Sequence, residues 1–219
     1  MRIYKNTVSD ALWDTLVKLM NLKVLDSFRL VGGTNLSLQL GHRMSVDIDL
    51  FSDAEYNSID FNIMDQCLQE IFEIVDKGVG GNNSMGNSYF VGDYNNLVKL
   101  DIYYTDPFIT NYKVTKGVRI ASLQDISAMK LDVICRGGRK KDFWDIHELL
   151  NYFDWNELLS FYIQRYPYSF SEEEVIKSAL NFSEAEDDFE PICLKNKYWE
   201  LIKLDIEESL NKYLNRIRK

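Results

Sequence analysis

The sequence predicts an α+β fold: a core with a small mixed sheet flanked by helices over residues 1–121, followed by a helical C-terminal region over 122–219. Three patterns carry this expectation. Between residues 28 and 104, short runs alternate apolar with polar residues, the period of half-buried strands. Around those runs, apolar residues recur at helical spacing. Beyond about residue 121 the alternation stops and only the helical spacing continues.

Residues 9–21 read as the first helix, with Ser9 as its cap and Leu12, Trp13, Leu16, Val17, Leu19 and Met20 at helical spacing. Phe28 to Val31 is a short apolar strand ending at Gly32-Gly33. Two readings stand for residues 35–41. Leu36, Leu38 and Leu40 alternate as in a strand, whereas a glycine pair followed by Thr34 and Asn35, both good caps, opens a helix. Residues 45–51 are the clearest strand, with Val46, Ile48 and Leu50 on one face and Asp47 and Asp49 on the other. Residues 60–73 suit a helix with Ile63, Met64, Cys67, Leu68, Ile71 and Phe72 inward, and 78–86 is a Gly/Asn/Ser-rich loop. Residues 89–91 and 97–104 are expected to pair across Gly92-Asp93. The second run puts Val98, Leu100 and Ile102 on one face and Lys99, Asp101 and Tyr103 on the other.

In the helical region, Ser122 and Asp125 resemble a capping arrangement ahead of a core-facing stripe of Ile126, Met129, Val133 and Ile134, with Lys130 near its edge. A basic turn, Arg136 to Lys141, leads to a helix with Phe143, Ile146, Leu149, Leu150 and Phe153 inward. Helices near 155–165, 171–182 and 195–216 complete the chain. Tyr198 and Trp199 are expected in the core, and the acidic segment 184–190 as a solvated loop.

Composition narrows the function classes. The 219 residues are 46% hydrophobic and 27% charged, the balance of a packed globular chain. A net charge of −9 repels phosphate backbones at long range, which excludes a general nucleic-acid coat protein but leaves room for a local basic patch. Cys67, Cys135 and Cys193 lie far apart with no CxxC pair, so neither a disulfide framework nor a cysteine zinc site is expected. The first residues carry no signal-peptide pattern and no run approaches a membrane span, so a cytoplasmic protein is expected.

The candidate chemistry lies in the acids and glycines. Asp47 and Asp49 project side by side from one strand face, close enough to share a divalent cation, and their like charges need such a partner. On the pair alone, a solvated polar strand face is the competing reading. Gly32-Gly33, between an apolar strand and a helix start, lets backbone approach phosphate at a helix N-terminus. Asp101 is a third acid on the polar face of a later strand; a plain ion pair with Lys99 reads equally well. Three converging carboxylates with metal could activate a hydroxyl for in-line attack on a phosphate. His42 and His147 are isolated and read as surface or satisfied side chains rather than catalytic ones. The cluster Arg136, Arg139, Lys140 and Lys141 reads equally as an RNA or nucleotide phosphate grip and as a solvated basic turn.

The runs Leu30-Val31-Gly32-Gly33-Thr34-Asn35-Leu36-Ser37-Leu38 and Leu40-Gly41-His42-Arg43-Met44-Ser45-Val46-Asp47-Ile48-Asp49-Leu50-Phe51 resemble the AbiEii/AbiGii nucleotidyltransferase toxin family, within the DNA polymerase β-like nucleotidyltransferase superfamily. A second block agrees: Asp125-Ile126, Ala128-Met129-Lys130-Leu131, Arg136 and Lys141-Asp142-Phe143-Trp144-Asp145-Ile146, with Leu149-Leu150. A weaker echo lies at Ala179-Leu180-Asn181-Phe182 with Ala185-Glu186, so the resemblance spans about residues 28–200.

The resemblance implies a nucleotidyltransferase-fold core and selects the helix for residues 35–41. It implies that Gly32, Gly33 and Thr34 bind nucleotide phosphate with support from Arg43 and Ser45, and that Asp47, Asp49 and Asp101 bind metal. Asp101 would also help deprotonate an acceptor hydroxyl, and Lys130 would approach the triphosphate. Asp142 and Asp145 match a family signature and read as stabilisers of the Lys130 helix and its basic turn. The implied activity is Mg2+-dependent transfer (Mn2+ as substitute) of a nucleotide from a nucleoside triphosphate to a hydroxyl acceptor, with tRNA the candidate. The implied context is the toxin of a bacterial toxin–antitoxin or phage-defence pair, with an antitoxin protein as partner. A nucleotide-sensing or partner-binding module of the same fold is the alternative, and a metal-dependent hydrolase using the same acids a third.

Overall fold

A computed structural model describes residues 2–78 and 84–217. The chain forms two compact units, Met1–Gly41 with Ser45–Ala121, and His42–Met44 with Ser122–Lys219.

The first unit is built on a sheet of seven strands among the described residues: β1 (Arg29–Val31), β2 (Asp47–Ser52), β3 (Ile74–Lys77), β4 (Gly86–Gly92), β5 (Leu97–Tyr104), β6 (Lys113–Thr115) and β7 (Val118–Ile120). Their spatial order is β3-β4-β5-β2-β1-β7-β6. The sheet is mixed: β2 runs parallel to β5 and β1 to β7, and the remaining neighbours are antiparallel. Among the described residues three α-helices accompany it, α1 (Asp10–Met20), α2 (Gly32–Leu40) and α3 (Phe61–Ile71).

The core follows the strand alternation. Ile48 and Leu50 of β2 and Val98, Leu100 and Ile102 of β5 are buried, and Leu12, Trp13, Leu16, Leu19 and Met20 of α1 belong to the same cluster with Met64 and Leu68 of α3. Ser9 caps α1 by accepting from the Leu12 amide, and Asp60 caps α3 through the Asn62 and Ile63 amides.

Residues 32–40 are helical although Leu36, Leu38 and Leu40 alternate. The alternation carries no information there, because Thr34, Asn35 and Ser37 are buried along with the leucines and no face of α2 is left to mark its period. Gly41 ends the helix at φ +67°, its amide on the Ser37 carbonyl, a left-handed stop that an L side chain would strain. Asn35, fully buried, donates from Nδ2 to the Leu30 carbonyl and, at 3.3 Å, to the Ala121 carbonyl, so it ties α2 to β1 and to the residue after β7.

Several sequence expectations need correction. Val46 lies outside β2 and is 71% exposed, so the buried face of that strand begins at Ile48. Ile63 is half exposed, on the outer side of α3. Strands β3, β6 and β7 were not anticipated: β3 and β6 are short sheet edges without a fully buried residue, and edges of that kind have no alternation to read. Of the expected loop at 78–86, residues 79–83 lie outside the described residues, and its end is the first residue of β4.

The second unit comprises α4 (Leu123–Cys135), α5 (Lys140–Leu149), α6 (Trp155–Arg165), α7 (Glu172–Ala179) and α8 (Trp199–Ile217). Ser122 caps α4, while Asp154 with Glu157 and Ser171 with Glu174 form capping boxes on α6 and α7. Phe143, Trp144, Phe182 and Trp199 pack as an aromatic cluster, Trp144 and Trp199 stacked with centroids 6.2 Å apart. Val133 and Tyr198 are exposed, not core, and Lys130 is buried, not marginal. The acidic segment is more than solvated loop: Glu186 accepts from the Trp199 indole and Lys203, and Asp188 accepts from the Arg139 guanidinium and the Lys140 amide. The three cysteines form no disulfide. Among the described residues no helix is long and apolar enough to cross a membrane.

Asn35→Leu removes two buried donor bonds and is expected to lower the free energy of unfolding by about 2 kcal/mol, read from urea melts. An unchanged midpoint and slope would show that the Asn35 side chain does not tie α2 to the sheet.

Candidate active site

Sheet register brings the three sequence-marked acids of the first unit together. Asp47 and Asp49 alternate with buried Ile48 and Leu50, so both side chains leave β2 on the face opposite the core. Parallel pairing sets Asp49 beside Asp101 and Asp47 beside Lys99 on β5. Adjacent strands lie about 4.8 Å apart and alternate residues about 6.6 Å apart, distances that carboxylate side chains can close around one or two cations. One step along, Phe51 faces Tyr103 in an edge-on contact, and Ser88 of β4, opposite Asp101, lies 3.0 Å from the Tyr103 hydroxyl.

The glycine turn meets this face. Gly32 has φ +67°, and a Cβ there would come within 2.1 Å of Asp49 Oδ2, so the bare backbone is what lets the carboxylate lie against the start of α2. That helix start has no side-chain cap and no acidic residue in its first turn, so the anion that meets its positive end comes from β2, at Asp49. Thr34 is 1% exposed and its hydroxyl bonds the Asp47 carbonyl and lies 2.8 Å from Ser45 Oγ. A carbonyl can only accept, so the Thr34 proton goes to Asp47 and the Ser45 hydroxyl donates to Thr34. Both hydroxyls therefore fasten the turn to β2 in this structure.

Lys99 is the cation of the face. Its ammonium pairs with Asp101 Oδ2, with side chains 40% and 17% exposed. Burial would lower the lysine pKa, but Asp101, with Asp47 and Asp49 behind it, reverses that and holds it above the ordinary value. Asp101 Oδ1 is buried with no hydrogen-bond partner. Among the described residues no group of three His, Cys, Asp or Glu side chains forms a ready-made metal cage. The donor set nevertheless suits a hard divalent cation: carboxylate oxygens on one face, one of them an orphan, and a glycine where any side chain would intrude.

The other sequence-marked residues meet in the second unit. Asp145, fully buried, accepts from Arg43 Nε and Nη2 at 2.7 Å each and from His42 Nε2 at 2.7 Å, and its Oδ2 lies 2.6 Å from Lys130 Nζ. Asp142 takes Lys130 on Oδ1 at 2.6 Å and the Arg139 amide on Oδ2. Burial alone would raise the Asp145 pKa; Arg43 and Lys130, with the His42 bond, hold it well below the carboxylate range instead. Burial weakens the Lys130 charge, and Asp142 and Asp145 more than restore it. Arg43 and Lys130, which the resemblance directs at phosphate, are thus both bonded to Asp145, and His42 is a buried member of the same network. In the basic turn, Arg136 pairs with Asp132 and Arg139 with Asp188. His147 bonds Asp205 and Lys197.

Two contributors were legible only in part: the Lys99–Asp101 ion pair stands as the sequence offered it, and Asn35 acts otherwise. Lys99 was legible only as a partner of Asp101, although its i, i+2 spacing already set both on one face. Asn35 stood in the motif as a helix cap, yet its side chain bridges to β1 and the end of β7 instead.

Burial, stronger than the pull of Asp145, keeps the His42 pKa below its ordinary 6.5. The unfolded chain therefore binds the extra proton first as pH falls, so this contribution is whole above 6.5 and is lost as pH drops toward the folded value. His147 is lowered too and acts with the same sign. Thermal stability is expected to decline from pH 7.5 to 5.5, less steeply in His42→Gln; an identical decline in that variant would contradict the assignment.

Known proteins resemble this chain over most of its length. An Aquifex aeolicus (strain VF5) protein, aq_aa25, is 27% identical over 214 residues, covering 92% of this chain and 95% of its own. MenT4, a nucleotidyltransferase toxin from Mycobacterium tuberculosis H37Rv, shares the fold with a TM-score of 0.62 at 13% identity, over 92% of this chain and 81% of its own. A candidate nucleotidyltransferase from H. pylori superposes with a TM-score of 0.57 at 21% identity, over 95% of this chain and 98% of its own. The family model described as "Nucleotidyl transferase AbiEii toxin, Type IV TA system" matches residues 14–212. With that span of the chain accounted for, the protein belongs to the AbiEii nucleotidyltransferase toxin family and is a nucleotidyltransferase.

Proposed function

We propose that this enzyme moves a nucleotide from a nucleoside triphosphate to a hydroxyl of an RNA acceptor, with tRNA the candidate, using Mg2+ at Asp47, Asp49 and Asp101. The observation that carries the reading is the register of these three acids beside an uncapped helix start whose first residue, Gly32, must be bare. Nucleotidyltransferases of this kind use a nucleoside triphosphate and a divalent metal. Bound there, the metal would neutralise phosphate charge and favour an ionised acceptor hydroxyl.

In this reading the chain's own groups divide the work. The α2 start and the Gly32-Gly33 backbone receive the triphosphate, with the Thr34–Ser45 hydroxyl pair keeping the turn on β2. Asp101 takes the proton of the acceptor hydroxyl. The acceptor oxygen forms its bond to the α-phosphorus, the α–β phosphoanhydride bond breaks, and pyrophosphate leaves. Arg43 and Lys130 stay bonded to Asp145 and Asp142 in this reading and hold the second unit together. With Arg136 and Arg139 already paired and a net charge of −9, RNA contact is proposed to be local, at the reacting end. In the cell the protein would act as the toxin of a toxin–antitoxin or phage-defence pair, restrained by an antitoxin protein.

The test is incubation with each labelled triphosphate, Mg2+ and total tRNA. A covalently labelled RNA is expected, and Asp47→Asn, Asp49→Asn and Asp101→Asn each reduce its rate by about a hundredfold or more. Wild-type rates in the Asp49 variant would defeat the proposal. So would triphosphate binding without transfer, or release of nucleoside monophosphate alone. Gly32→Ala, whose Cβ collides with Asp49 Oδ2 at 2.1 Å, is expected to lose transfer as completely as the acid variants; full activity there would remove the turn from the site.

A further inference from the structure

We propose that Lys99 is a built-in counter-cation of the three-acid face, a positioning residue that competes with the divalent metal for Asp101 and is displaced when the metal binds. The inference rests on reading Asp47, Asp49 and Asp101 as metal ligands.

On the polar face of β2 and β5, among the described residues of these two strands, three carboxylates stand with one ammonium. Lys99 is opposite Asp47, and its side chain reaches along its own strand to Asp101 Oδ2. Asp47 and Asp49 act on the same ammonium through space. The lysine therefore partly neutralises a cluster whose like charges would otherwise repel. The two partners differ in freedom. Lys99 is 40% exposed on a flexible four-carbon stem, whereas Asp101 is 17% exposed and keeps one oxygen buried and unpaired. A divalent cation that engages that oxygen displaces the mobile partner, not the fixed one. The consequence is a weakened affinity for bare metal: the acids stay together without it, and tight binding requires the extra negative charge of the triphosphate.

The test is Mn2+ binding to the full chain, followed by electron paramagnetic resonance without nucleotide, for wild type, Lys99→Met, Lys99→Gln, Lys99→Arg and Asp47→Asn. Circular dichroism establishes that each variant is folded. Removing the competing charge is expected to tighten Mn2+ binding about tenfold in the Met and Gln variants. The Arg variant stays near wild type. Neutral variants that bind Mn2+ equally or more weakly would overturn the role of Lys99, since a residue that merely braces the strand weakens binding when lost. If wild type binds no Mn2+ that Asp47→Asn removes, the metal-ligand reading itself fails, and this inference with it.

Discussion

Three like charges on one face of a sheet are the constraint from which the rest of the first unit follows. Asp47, Asp49 and Asp101 are held together by backbone register, not by attraction, because β2 and β5 pair in parallel and present alternate residues to the same side. Carboxylates so arranged resist one another unless positive charge lies among them. The chain supplies some of it through Lys99 and through the start of α2, which reaches Asp49 only because Gly32 has no side chain. The buried opposite face of the same strands anchors the arrangement: Ile48, Leu50, Leu100 and Ile102 cannot shift register by one residue without turning the acids into the core.

The second unit treats the same chemistry in the opposite way. Asp145 is fully buried and surrounded by Arg43, His42 and Lys130, with Asp142 sharing the lysine. Two carboxylates meet a guanidinium and an ammonium, with a histidine that burial keeps neutral at ordinary pH. Every charge has its partner, as burial requires. At Asp101 an oxygen stays buried and unpaired, and the ammonium that pairs with its other oxygen is on a flexible stem. A network whose charges are all paired suits a fixed scaffold, even with His42 Nδ1 left without a bond, whereas an unpaired carboxylate oxygen beside a helix start suits a place where a charged ligand arrives.

Much of this is legible in the sequence. Alternation in 47–52 and 97–104 by itself puts the acids on one strand face, and the glycine pair marks the turn. Other parts are not. The leucine alternation in 36–40 suggests a strand because a helix buried on all sides shows no period. Lys130 and Asp145 lie 15 residues apart and Arg43 more than 80 from either, so nothing local in the sequence announces that they converge. Strands β3 and β6 are short and edge-lying, and their pairing comes from the sheet and not from their own residues. The family resemblance supplies the helix for 35–41 and the second block of residues, which periodicity alone does not.

The central claim is that metal and triphosphate meet at the acids of β2 and β5 beside Gly32. The most direct measurement is a crystal structure of the full chain with a non-hydrolysable nucleoside triphosphate and Mn2+, with the metal located by anomalous scattering. The account predicts an anomalous peak bound by Asp47 and Asp49, with the phosphates on the Gly32-Gly33 backbone. Ordered nucleotide with its metal held by other residues, or phosphates away from the start of α2, would contradict it.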